Sequence, residues 1–152
     1  VSIAAQNGHI EVVRHLAQHG VNVDNPNQNG VSPLNISASN GHLEVVQFLC
    51  QCGADLNRVE RSGASPLYIA AQQGHVEVVA HLCDIGAQHL AKHNGVTPLY
   101  IASHNGHLEV VRFLCAAGAD PEDLAHNGMT PLSVAQSKGH VSVLRQLQWA
   151  AD

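Results

Sequence analysis

Between residues 43 and 50 the chain reads Leu43-Glu44-Val45-Val46-Gln47-Phe48-Leu49-Cys50, with apolar side chains at 43, 46 and 50 joined by 45 and 49. That spacing predicts a helix with one broad buried face, leaving Glu44 and Gln47 outside. The segment follows a Gly-His pair, and the pair recurs at Gly8-His9, Gly41-His42, Gly74-His75, Gly106-His107 and Gly139-His140. A second marker holds a nearly constant phase to the first: Ser32-Pro33-Leu34, Ser65-Pro66-Leu67, Thr97-Pro98-Leu99 and Thr130-Pro131-Leu132. The hydroxyl accepts from orphan backbone amides, and proline fits the first turn, where its missing donor costs nothing. A first helix is therefore predicted to begin at 32, 65, 97 and 130. It ends at Gly41, Gly74, Gly106 and Gly139, because glycine tolerates the left-handed turn. Gly20, Gly53, Gly86 and Gly118 close the second helices, and loops rich in Asn, Asp, Gly and Pro lead to the next cap.

A period of 32 or 33 residues implies an array of stacked units, each unable to bury its own apolar face. Written out once, Ser65-Pro66-Leu67-Tyr68-Ile69-Ala70-Ala71-Gln72-Gln73-Gly74-His75-Val76-Glu77-Val78-Val79-Ala80-His81-Leu82-Cys83 resembles the ankyrin repeat (Thr-Pro-Leu-His, Ala-Ala, Gly-His-Leu-Glu-Val-Val, Gly-Ala-Asp-Val-Asn). The resemblance covers essentially the whole chain. It implies an all-α ankyrin-repeat solenoid: helix-turn-helix units joined by hairpin-like protruding loops. The repeats are expected at 1–26 (partial), 27–59, 60–91, 92–124 and 125–152. The first lacks its capping Thr-Pro, which reads as a fragment of a longer array or a missing beginning. The last is more polar, with Ser142, Arg145, Gln146 and Gln148, as a terminal cap should be, and Trp149 is expected to pack there.

Composition narrows the chemistry. The formal charge is −5, with no basic run or aromatic ladder, which argues against nucleic acid. No apolar stretch has the length of a membrane span. Cys50, Cys83 and Cys115 hold one equivalent position per repeat; at a spacing of about 10 Å they cannot be bridged and are expected to be small buried hydrophobes. Cys52 is expected to be exposed. Free thiols suit a reducing, intracellular compartment, cytoplasmic or nuclear.

Twelve His residues invite a metal reading. Five belong to the Gly-His pairs; His15 and His19, four apart on a helix, and His89 and His93 lack the third and fourth ligands of a zinc site. No metal or cofactor is expected. Below about pH 6, His protonation is expected to reverse the negative net charge, the five helix-start His resisting because a cation there opposes the helix dipole. No phosphate loop, nucleophile elbow or His-Glu-x-x-His pattern occurs, so an enzyme is not expected.

Function then falls to positions that the repeat leaves free. In ankyrin-like arrays these are the loop tips and the exposed side of the first helix. The tips are Gln28-Asn29, Arg61-Ser62, His93-Asn94 and His126-Asn127. The first helices offer Asn35, Tyr68 and Tyr100 where the family has His, and end in Asn40, Gln72-Gln73 and His104-Asn105. Tyr68 and Tyr100 are the expected anchors, since Tyr joins large contact area to a polar tip; their alternative role is hydrogen bonding inside the scaffold. The reading is a monomeric, non-enzymatic module that binds another protein through its concave face, with end-to-end contact through the first repeat as a further option. The alternatives are a structural spacer in a larger polypeptide and an engineered ankyrin binder. Two departures from the family pattern are noted: Ser37 stands where a small apolar residue packs, and the third loop, with Gln88-His89-Leu90, is one residue short, so its tip should be displaced. The stretch from Leu49 to Asn57 also resembles a site at which ankyrin repeats are hydroxylated on Asn.

Overall fold

The computed structural model describes residues 1–89 and 92–151, with no side-chain description at 151. Its described residues form ten helices and no strand. In chain order these are α1 (Ser2–Gln6), α2 (Ile10–Gln18), α3 (Pro33–Asn40), α4 (Leu43–Gln51), α5 (Pro66–Gln73), α6 (Val76–Asp84), α7 (Pro98–Asn105), α8 (Leu108–Ala116), α9 (Pro131–Lys138) and α10 (Val141–Ala151). Odd-numbered helices pack on one another in sequence, as do even-numbered ones, and each odd helix packs on the even helix that follows it. The result is a two-layered stack of helix pairs.

Local chemistry sets the boundaries. Ser32, Ser65, Thr97 and Thr130 each accept, through the side-chain oxygen, from the backbone amide three residues on, at 3.1 to 3.2 Å. At the last of these Ser133 accepts back from the Thr130 amide, completing a capping box. Gly41 ends α3 at φ 72, and its amide is turned to the Ala38 carbonyl. It must be glycine for a second reason: a Cβ there would lie 2.6 Å from His75 Nδ1 of the next repeat.

Helices α2, α4, α6 and α8 lack side-chain caps; their N-cap residues are the Gly-His histidines. The ring turns to the preceding repeat instead. Nε2 of His42, His75, His107 and His140 donates to the carbonyls of Gln6, Ser39, Gln72 and His104 at 2.9 to 3.0 Å. A carbonyl has no proton to give, so Nε2 carries the hydrogen. These four rungs run between successive repeats and were not foreseen from the sequence.

The core is one strip. Leu34, Leu67 and Leu99 from the odd helices and Leu49, Leu82, Leu114 and Leu147 from the even ones are at most 1% exposed. Each such leucine contributes about 1.5–3 kcal/mol relative to leaving it in water. Ser37, also fully buried, donates to the Leu34 carbonyl at 3.1 Å, and Ser103 does the same to Leu99 at 2.7 Å, so helix carbonyls absorb the polar group. Arg58 crosses between the first two loops, pairing with the Asp24 carboxylate at 3.0 Å and donating to its carbonyl at 3.1 Å.

Two expectations need correcting. Trp149 is 75% exposed and does not pack into the last repeat. The buried side of α10 is set by Val143 and Leu147, and a residue two positions after Leu147 lies about 200° round the helix from it. Cys50, Cys83 and Cys115 are free but only half-buried, at the margin of the core; Cys52 is exposed. Burial still pushes the thiols of Cys50 and Cys83 up from 9.0 to about 11, and raises that of Cys115. The shortened stretch of the third loop runs through Leu90 and Ala91, outside the described residues; its tip, His93-Asn94, closes a turn over 92–96 of the same kind as the other tips.

Candidate concave groove

Each loop tip is a short closed turn. In the second repeat Glu60 N donates to Ala64 O at 3.0 Å and Gly63 N to Glu60 O at 2.8 Å; the turns 27–31, 92–96 and 125–129 repeat the pattern. The tips stack. Arg61 donates to the Gln28 carbonyl at 3.4 Å, and His126 N to the Asn94 carbonyl at 3.0 Å. The rings of His93 and His126 lie against Gly63 and Gly95, where an added Cβ would come within 2.9 and 2.8 Å of them.

Between this row of tips and the odd helices lies a groove of about 430 Å³ that spans α1, α3 and α5. Ile36 and Ile69 line it with Ser39 and Asn40, and Gln72 and Gln73 follow from α5. Gln6 closes one end, and Asn27, Ser62 and Ala64 come from the tips. Its charged residues are Glu60 and Lys92. Burial pushes the Glu60 carboxyl up, but hydrogen bonds from the Ser62 hydroxyl and from the backbone at Ser62 and Ala64, with the Lys92 charge, hold it below the usual carboxylate range. The Lys92 ammonium sits 5.2 Å over the Tyr68 ring, and burial raises the Tyr68 phenol.

Of the residues singled out from the sequence, the groove gathers Asn35, Asn40, Ser62, Gln72 and Gln73. Asn35 is only 1% exposed; it accepts from Ser32 Oγ at 2.9 Å and donates to Ala64 O at 3.3 Å, tying one repeat to the next. Tyr68 and Tyr100 are 4% and 6% exposed. The Tyr100 hydroxyl receives Asn127 Nδ2 at 3.2 Å and faces Met129 Sδ at 4.0 Å. Gln28, Asn29, Arg61, His93, Asn94, His126 and Asn127 are exposed on the tips. His104 and Asn105 end α7, beyond this groove, and Asn105 donates to the Gln72 carbonyl at 2.9 Å. Asn57 accepts from the Gln88 amide at 2.8 Å, so its carboxamide bridges two loops. Ile36, Ile69, Glu60 and Lys92 were not singled out. The isoleucines had a signal: Ile3, Ile36, Ile69 and Ile101 all stand five residues before the glycine that closes a first helix.

Among the described residues no group of three or more His, Cys, Asp or Glu is placed to hold a metal ion. The His15 and His19 rings are 4.2 Å apart, but His19 Nδ1 is bonded to the His15 carbonyl at 2.8 Å. No helix is long and apolar enough to cross a membrane, among the described residues.

A family model described as ankyrin repeats (3 copies) matches residues 1–93 and 67–152. No curated protein matches the chain. Ankyrin repeats are generally protein–protein interaction modules and typically carry no catalytic activity.

Proposed function

Because the chain belongs to the ankyrin-repeat family, we propose that it is a non-enzymatic docking module whose concave groove and loop tips hold a partner protein. One observation carries the reading. Most residues that recur from repeat to repeat are spent on the core and the histidine rungs, while polar positions that differ between repeats, such as Ser39 and Gln72 or Asn40 and Gln73, meet beside the recurring isoleucines in the groove. Recognition in a solenoid resides at such positions. The burial of Tyr68 and Tyr100 moves the weight of the site from those rings to the amides and isoleucines beside them. Free thiols accord with a reducing, intracellular setting, and we take the module to be monomeric with five repeats.

The test uses Asn40→Arg/Gln73→Arg, since both residues are exposed at helix ends and line the groove. Affinity capture from cell lysate is run for the chain and for this variant, after the variant's thermal unfolding has been matched to the parent. A protein held by the parent and lost by the folded variant is the expected result. Equal retention by both would sink the concave-face reading, and a spacer would lose nothing in this comparison.

A further inference from the structure

The groove carries a periodic apolar row. Ile36 and Ile69 line it, and Ile3 and Ile101 occupy the same position on α1 and α7, so an isoleucine recurs on each of α1, α3, α5 and α7, while α9 has the buried Val134 there. Odd helices packed in sequence set these side chains about 8–10 Å apart. Ile3 is 77% exposed, and Ile36, Ile69 and Ile101 are half-buried.

The carboxamides around this row divide into two kinds. Asn40 Nδ2 is committed to the Ile36 carbonyl at 2.8 Å and Asn105 Nδ2 to the Gln72 carbonyl. The side-chain amides of Gln6, Gln72 and Gln73 make no hydrogen bond among the described residues, although the backbone carbonyls of Gln6 and Gln72 receive the histidine rungs. Three amides, each able to donate and accept, therefore flank the isoleucines. The lining is close to neutral: Glu60 is met by Ser62 and Ala64, and Lys92 lies over the Tyr68 ring with Glu60 near it.

From this geometry we propose that the groove takes an uncharged peptide segment in the polyproline II conformation, with an apolar side chain at every third position seated on the isoleucine row. Three residues per turn at about 3.1 Å each bring every third side chain to the same side at about 9.3 Å, the pitch of the stacked helices. A β-strand returns to the same side after about 6.6 Å, out of step with the row. An α-helix regains step only at every seventh residue, about 10.5 Å along, and its backbone groups are already paired internally. A polyproline II backbone pairs none of its own carbonyls or amides, so they are available to Gln6, Gln72 and Gln73. Charge complementarity points the same way, because a lining whose two charges offset each other favours a segment with none.

This inference rests on the concave-face reading above, and its test separates the two. Three fluorescein-labelled peptides are titrated with the chain by fluorescence polarisation: four tandem Pro-Pro-Leu units, an isomer with its leucines irregularly spaced, and an alanine-based helix with leucine at every seventh position. The tandem peptide should bind at least tenfold more tightly than either of the others. Ile36→Asn/Ile69→Asn should weaken it at least tenfold, and Gln72→Ala/Gln73→Ala by a few-fold. The glutamine pair keeps the test decisive if the isoleucine pair lowers thermal stability. Equal affinity for the two proline peptides, or no binding of either, overturns the proposal. Preference for the helical peptide, lost in the isoleucine variant, also overturns it while leaving the concave groove as the binding face.

Discussion

At the scale of single residues, identical letters do different work. Gly41 and Gly53 both have positive φ, 72 and 84, yet a Cβ at Gly41 would press on His75 Nδ1 at 2.6 Å while one at Gly53 would meet nothing within 4 Å. Gly53→Ala should cost only the left-handed strain, about 1–2 kcal/mol. Gly41→Ala should cost that and also displace the His75 ring from the Ser39 carbonyl, roughly 1 kcal/mol more. Urea unfolding of the two variants measures the difference; equal losses would mean that the ring moves aside freely. The cysteines make a second prediction. Cys50 and Cys83 titrate near 11 in the fold against 9.0 ordinarily, so the folded state favours the protonated thiols. Their contribution is complete below pH 9 and is lost as pH rises toward 11. Stability measured across that window should fall less steeply in Cys50→Ala/Cys83→Ala than in the parent, each compared with its own value at pH 8. The exposed Cys52 should be the first to react with a thiol reagent.

At the scale of the helix, caps decide where each element starts, and two serines in the same role should differ. Ser65 accepts from the Tyr68 amide, so Ser65→Ala should cost about 1 kcal/mol. Ser32 accepts from the Asn35 amide and also donates to Asn35 Oδ1, in a residue 1% exposed. Ser32→Ala strands that buried oxygen and should cost about 1–3 kcal/mol more. Chemical denaturation of both variants compares them, and equal costs would show that water or Asn35 itself repairs the gap. Helix starts and stops could be read from sequence because Ser/Thr-Pro and glycine act on their own neighbours. The histidine rungs could not, because the partner is a backbone carbonyl some 36 residues away, and every residue has one. The tyrosines illustrate the same limit. A Tyr on the first helix could face the groove or the adjoining loop, and packing of the next tip, where Asn127 meets the Tyr100 hydroxyl, decided it. Ile36 and Ile69, which the sequence reading passed over, proved to be half-buried walls of the groove.

At the scale of the whole molecule, the main helix contacts among the described residues run within a repeat or between adjoining ones, so stability should vary along the stack. Amide exchange should be slowest in α5, α6, α7 and α8, which are covered on both sides, and faster in α1 and α2. Uniform protection throughout would instead indicate that the five units open as one. Leu67→Ala empties a fully buried position in the middle of the strip and should cost about 2–5 kcal/mol. In hydrogen exchange it should raise opening rates in the flanking repeats more than at the far end of the stack. The four rungs have a further consequence for what can be built from this chain. Each joins a Gly-His ring to the carbonyl two residues before the preceding such glycine, so every junction uses the same socket and plug. Excision of one full period between two Gly-His pairs would present His107 to the carbonyl of Ser39 in place of that of Gln72. The link would be remade with a new neighbour, so recombination at these dipeptides would shorten or lengthen the array with its rungs intact, leaving only the loop contacts particular to one junction, such as Arg58 with Asp24 and Asn57 with Gln88, to be rebuilt.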